Sequence, residues 1–288
     1  MQEPITKNGF YQITNEDYHA DPAASKSSLS DFSHTPKKFK INRQIIKKSS
    51  PVFDLGTAAH AAILEPEKYW DMIAVPPAKL LAKNGAMSTK AAKEWKAQKE
   101  SEGKVVIKQD FQDKVEAMAE NVLERPEHSE ARALLTGGVA ELSGFWEETE
   151  FGAPFFLKVR PDYLPGGNLV VDLKTDLDAS PVAFGRKAYN LKYHWSAWLT
   201  CRGLEYLTGE KHDKYFFVVV EKEIPFDVAV YQVPDYMFEI ARRELTPILE
   251  RYSQCLETDE WPGYENKRLM LDFPGWALRA LDDGALYD

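Results

Sequence analysis

The amino-acid pattern predicts an α/β fold, a mixed central sheet with helices packed around it. Strand-like apolar runs crowd the stretch from about 140 to 175 and recur near 215–220 and 229–233, while helical periodicities precede, separate and follow them. The chain also has enough material for such a core, with 288 residues and 44% hydrophobic content. No Gly/Ser linker, internal repeat or low-complexity tract divides it. One domain over 1–288 is therefore expected, with an N-terminal helical segment (about 1–50) and a C-terminal tail (about 258–288).

Residues 25–32 read as a short helix, because a serine ahead of a helical turn can accept a first-turn amide. Residues 54–64 form an alanine-rich helical pattern that sets Gly56 and His60 one turn apart on the same face. Residues 89–100 and 109–124 are amphipathic, with Trp95 on one apolar side and Phe111, Val115, Met118 and Val122 on the other. After the strands of 140–175 comes a helix over about 192–207. Two further strands and a long helix over about 235–256 complete the order.

Within the strand-rich stretch, Arg160-Pro161-Asp162 is followed across Pro165-Gly166-Gly167 by Val170-Val171-Asp172-Leu173-Lys174. Side chains two apart on a strand point the same way, so Asp172 and Lys174 share a face. The Gly-Gly turn suits an antiparallel reversal that brings Asp162 toward Asp172. Two acids and a lysine so placed point to a metal-dependent phosphodiester site, in the pattern PD-x(n)-D-x-K. Each fragment alone is common, Pro-Asp as a turn and Asp-x-Lys as a strand end. Together they place an acid in a run that reads as buried strand, where a carboxylate is costly unless paired or metal-bound. His60 adds a possible metal or water ligand, although a lone histidine is more often a core side chain bonded to a carbonyl.

These residues resemble the RecE-like exonucleases, the exonuclease VIII branch of the PD-(D/E)xK nuclease superfamily. The matching segments run along nearly the whole chain: Asp17-Tyr18-His19-Ala20, Ser25-Lys26-Ser27, Leu55-Gly56-Thr57-Ala58, His60, Leu64-Glu65-Pro66-Glu67, the two acid motifs with Thr175, Tyr193-His194 and Thr258-Asp259-Glu260-Trp261-Pro262. The resemblance implies a restriction-endonuclease-like core and a Mg²⁺-dependent exonuclease, with Mn²⁺ as a substitute ion. Such an enzyme degrades the 5′ strand of linear duplex DNA and leaves 3′ overhangs for recombination. It further implies His60, Asp162 and Asp172 as metal ligands, Lys174 as the catalytic lysine and Tyr193 as a substrate contact. A homo-oligomeric ring around DNA, a tetramer before a trimer, a phage or prophage setting and a single-strand annealing partner also follow from the resemblance. At Ser196 the family commonly carries glutamine, and a hydroxyl cannot make the same two-ended amide contact.

Other residues are read from their chemistry. Arg160 is a candidate phosphate clamp or the partner of an acid. Ser25 and Lys26 are candidates for a 5′ phosphate at a helix start, where capping explains the serine equally well. Glu141, on a strand before Asp162, is a possible accessory acid, with plain surface exposure as the alternative.

A net charge of −9 looks unsuited to DNA, but its distribution is uneven. Lys37, Lys38, Lys40, Arg43, Lys47 and Lys48 have no acid among them, and the lysines from Lys79 to Lys108 outnumber Glu94, Glu100 and Glu102. Acids gather in Glu257, Asp259, Glu260, Glu265, Asp272, Asp282, Asp283 and Asp288. The expectation is a dipolar surface with DNA on one side, against ordinary solvated lysine faces. Cys201 and Cys255 are too few for a disulfide framework or a four-cysteine iron-sulfur cluster, so no cluster is expected. The apolar run 216–220 is too short for a membrane span, and the first residues lack a secretion signal, so a cytoplasmic protein is expected. Three other functions fit the same residues: an endonuclease or repair nuclease on this fold, a catalytically weak DNA-binding component, and an unrelated α/β metal hydrolase.

Overall fold

The structure, a computed structural model, describes residues 3–44, 54–82, 84–268 and 270–272. Its first part is largely helical: β1 (Gly9–Tyr11), α1 (Asn15–Ala20), α2 (Lys26–His34), α3 (Pro36–Gln44), α4 (Leu55–Leu64), α5 (Pro66–Met72), β2 (Ile73–Ala74), α6 (Lys90–Ser101), β3 (Val105–Val106), α7 (Gln109–Leu123) and α8 (Ser129–Leu134). Ser25 caps α2 through a reciprocal capping box with Ser28, and Asp54 caps α4 by accepting from the Thr57 amide. The strands follow: β4 (Val139–Ala140), β5 (Ser143–Glu148), β6 (Phe155–Val159), β7 (Tyr163–Gly166) and β8 (Leu169–Asp176). The chain ends with α9 (Pro181–Asn190), α10 (Tyr193–Thr208), β9 (Lys214–Glu221), β10 (Val228–Gln232) and α11 (Asp235–Thr258).

The central sheet is mixed, in the order β10-β9-β8-β7-β4, with β8 and β9 parallel and the other pairs antiparallel. The parallel step requires a crossover, and α9 and α10 supply it between β8 and β9. Alternate residues of β8 meet different layers. Val171 and Leu173 join Ala59 and Ile63 of α4 and Met118 and Val122 of α7, whereas Val170 joins Phe184 of α9 and Ala197, Cys201 and Leu204 of α10. Asp172 and Lys174 fall in the same register as Val170, so the period of two that sets the core also aims both at the α9–α10 side.

The strand-rich stretch is divided between two sheets, a division that strand propensity cannot foresee. β5 pairs with both β1 and β6 in a separate antiparallel sheet, while β7 and β8 belong to the central one. The second sheet packs Trp146 and Leu157 against Phe32, Phe39, Leu245, Leu249 and Tyr252 of α2, α3 and α11. Gly203 lets α10 lie against it, since a Cβ there would come within 2.5 Å of the Trp146 ring.

The two oppositely charged segments of the sequence do not lie on opposite sides. Lys40 pairs with Asp259, the Lys37 amide donates to Pro262, and Trp261 stacks on Phe39 and meets Phe32 and Tyr252 edge-on. Aromatic burial thus draws the acidic segment onto the basic α3. In α6, Lys90, Lys96 and Lys99 pair with Glu94, Glu100 and Glu102. Lys47, Lys48, Lys83 and the acids after Asp272 lie outside the described residues.

Candidate active site

The site forms where β7, β8, α4 and the β4–β5 connection meet. Asp162 immediately precedes β7, and its Oδ2 accepts the Leu173 amide at 2.7 Å. One backbone donor in the middle of β8 therefore pins the first acid beside the second. Asp172 is buried, with Oδ1 accepting from Lys174 Nζ and Oδ2 accepting from Tyr215 Oη at 2.9 Å. Lys174 Nζ is also 3.8 Å from Asp162 Oδ2, so the ammonium bridges both carboxylates. This is the shared face that the two-residue spacing predicts.

His60 reaches Asp162 from the alanine-rich face of α4. Its Nε2 lies 2.8 Å from the Leu173 carbonyl and 3.1 Å from Asp162 Oδ2, and its Nδ1 is 3.8 Å from Glu141 Oε1. The core-type carbonyl bond and the carboxylate contact are thus both present. Gly56, one turn earlier, allows the approach of α4 to β8, since a Cβ there would meet Thr175 Oγ1 at 2.9 Å. Glu141 sits between β4 and β5 with φ at 53°, a backbone region uncommon for glutamate, and its amide donates to the Asp162 carbonyl at 3.1 Å. At the other end of β4 the Gly138 amide donates to Tyr163 Oη at 2.7 Å.

Electrostatics separate the groups. Burial opposes the His60 imidazolium, but the adjacent Asp162 charge and the hydrogen bond to it prevail and raise the pKa to about 9. Burial would raise Asp162, yet His60 and Lys174 hold it well below the usual carboxylate range. Burial and the Asp162 charge together push Asp172 up. Burial and Asp162 likewise raise Glu141 to about 7. Burial disfavours the Lys174 ammonium, but the Asp172 and Asp162 charges keep it protonated well above its ordinary value.

Among the described residues, His60, Glu141 and Asp162 can hold a metal ion, each offering one ligand atom within 4.8 Å of the others. The donor set is one imidazole with hard carboxylate oxygens, partly shielded yet reachable, and it suits a divalent cation such as Mg²⁺ or Mn²⁺. Asp172 is engaged by Lys174 and Tyr215.

The remaining candidates are spread around this centre. Arg160 donates to Ser143 Oγ, to the Ile13 and Thr14 carbonyls and to Asn15, lies over the Tyr18 ring, and comes within 4.0 Å of Glu141. Most of its donors therefore tie down the N-terminal segment. The Tyr193 ring has the ammonium groups of Lys174 and Lys26 at 5.4 and 5.9 Å. Lys26 donates to the Leu191 carbonyl, and Ser25 carries out its capping. A cleft of about 220 Å³ joins Ser25, Lys26, Arg160, Asp162, Asp172 and Lys174. It also takes in Tyr215, Lys158, Ser196 and Thr200. Tyr215 escaped sequence reading because its relation to Asp172 depends on the parallel register Val170↔Tyr215. Its only local signal is a tyrosine opening a strand-like run.

A family described as a PDDEXK-like domain of unknown function (DUF3799) matches residues 25–269. The chain belongs to this PDDEXK-like family. Membership places it in the PD-(D/E)xK nuclease superfamily and agrees with the mixed sheet and the geometry of Asp162, Asp172 and Lys174. No curated protein matches the sequence. Among solved structures, a Eubacterium rectale protein named "Putative exonuclease" is similar over 94% of this chain and 99% of its own, with TM-score 0.53 and 15% identity. That likeness supports the fold. A phage related exonuclease from Haemophilus somnus 129PT aligns over 70% of this chain and 94% of its own, with TM-score 0.30 and 13% identity. Among the described residues of this PDDEXK-like chain, no helix is long and apolar enough to cross a membrane.

Proposed function

We propose that this chain is a divalent-metal-dependent exodeoxyribonuclease of the RecE-like branch, acting 5′ to 3′ on linear duplex DNA and leaving 3′ single-stranded ends. The observation that carries the reading is the convergence of Asp162, Asp172 and Lys174 on one face, with His60 against Asp162. Polarity, the preference for Mg²⁺, a closed homo-oligomer and an annealing partner rest on the resemblance of the motifs to RecE-like enzymes. The chain is read as one domain.

Phosphodiester hydrolysis needs an activated water and neutralisation of the phosphoryl oxygens, and a divalent cation held by His60, Asp162 and an acid beside them would supply both. Asp162 is presented by the Leu173 amide and remains ionised under its two cationic neighbours. Lys174, kept protonated, sets a positive charge where negative charge accumulates on the reacting phosphate and can orient the attacking water. Tyr215 fixes Oδ2 of Asp172 and so the direction of Oδ1, which faces Lys174.

The test is digestion of 5′-labelled and 3′-labelled linear duplexes, with Mg²⁺ or EDTA, by wild type, Asp172→Asn and Lys174→Ala. Loss of the 5′ label first, only with metal, and a fall of about 10²-fold or more in both variants are expected. Activity within about threefold of wild type in both variants would reject the site assignment, since removal of such a charge costs far more. Cutting of closed circular DNA at the linear rate would reject the exonuclease assignment.

A further inference from the structure

We propose that the groove between α5 and α7 is a docking site for α3 of a second copy of this chain. Tyr69 of α5 and Val115, Ala119 and Leu123 of α7 make its apolar floor, and it encloses about 320 Å³. Trp70 forms one wall yet is 52% exposed, a large aromatic left half in water. Acids stand on both rims. Glu67 and Asp71, both exposed, follow Pro66 and Trp70 by one residue on α5. Glu116, Glu120 and Glu124 run at four-residue intervals to the end of α7, on one face and also exposed. Among the described residues only Glu120 of these five forms an ion pair, with Arg125. Like charges one helical turn apart repel each other, a cost that the free chain carries. An apolar groove edged with unneutralised carboxylates selects a cationic surface with an apolar centre.

This chain carries such a surface. On the outer side of α3, Lys37 and Lys38 are exposed and form no ion pair among the described residues, and Ile41, one turn on, is 48% exposed. The inner side is fixed, since Phe39 is buried and Lys40 is tied to Asp259. α3 thus offers a branched aliphatic side chain beside two ammonium groups, and the groove offers an apolar slot between two rows of carboxylates. With a net charge of −9, two copies repel at long range, so contact is confined to patches of opposite sign. The two surfaces are different parts of the chain, so the contact is heterologous: each copy gives its α3 to one neighbour and its groove to another. Closure into a ring rests on the nuclease reading; the contact itself rests on the two surfaces.

The full chain, without DNA or metal, is followed by sedimentation velocity across the micromolar range. Lys37→Glu/Lys38→Glu reverses the cationic face, and Asp71→Lys/Glu124→Lys reverses one acid on each rim. These changes put acids into the first turn of α3 or lysines at the ends of α5 and α7, which the helix dipole favours, so the fold is retained. Wild type should associate, and each variant alone should associate at least about tenfold more weakly, the scale of placing like charges in contact. Their equimolar mixture should associate again, because the intact groove of one meets the intact α3 of the other. A monomeric wild type, unchanged association in either variant, or a mixture no more associated than its components overturns the contact. Sedimentation reads no cleavage, so the contact can fail while Mg²⁺-dependent hydrolysis stands, and the reverse.

Discussion

Replacement of His60 by alanine reads the site's electrostatics without metal or substrate. The Asp162 carboxylate outweighs burial and raises the imidazole from 6.5 to about 9. The gap between these values corresponds to about 3 kcal/mol of preference for the charged form. The side chain is 27% exposed, and solvent screening reduces the expected effect to about 2 kcal/mol. Because the folded value is raised, this stabilisation is complete below about pH 6.5 and is lost as pH rises through about 9. Urea unfolding of wild type and His60→Ala in EDTA, each also carrying Glu141→Gln, at about pH 6 and about pH 10, isolates it, because groups remote from His60 cancel in the difference and Glu141, which titrates near 7 beside His60, is removed. The wild-type advantage should be about 2 kcal/mol larger at the acid condition. An advantage constant within about 0.5 kcal/mol, well inside that expectation, would refute a charged His60–Asp162 pair.

Tyr215→Phe keeps the ring and removes the donor to Asp172, so Mn²⁺-dependent DNA cleavage should fall about 10- to 100-fold while stability drops by only about 1 kcal/mol. Unchanged cleavage would show that Asp172 needs no such support. Gly203→Ala should destabilise by about 1–3 kcal/mol despite a better helix residue, because its Cβ would meet Trp146 at 2.5 Å. A thermal melt at or above wild type would mean that α10 can move off the second sheet.

The sequence by itself determined what local chemistry and periodicity can carry. A serine cap marks α2, an alanine-rich helical pattern marks α4, alternating apolar residues mark β8, and the Gly-Gly turn closes β7 on β8. From these the α/β order and the common face of Asp172 and Lys174 are legible, since a period of two leaves no other choice. The approach of His60 was legible only in part, as small residues around an imidazole on one helix face. Tertiary structure alone decided the rest. The division of the strand-rich stretch between two sheets depends on the helices that cover each one. Glu141 faces His60 because its amide is tied to the Asp162 carbonyl and the preceding β4 pairs with β7, contacts between separate segments of the chain. Tyr215 and Thr200 reach the cleft through strand register and helix docking, and the acidic segment near Asp259 lies on the basic α3 because Trp261 is drawn to Phe39. Each is a contact between distant segments, set by packing complementarity, and no window of sequence contains both halves of it.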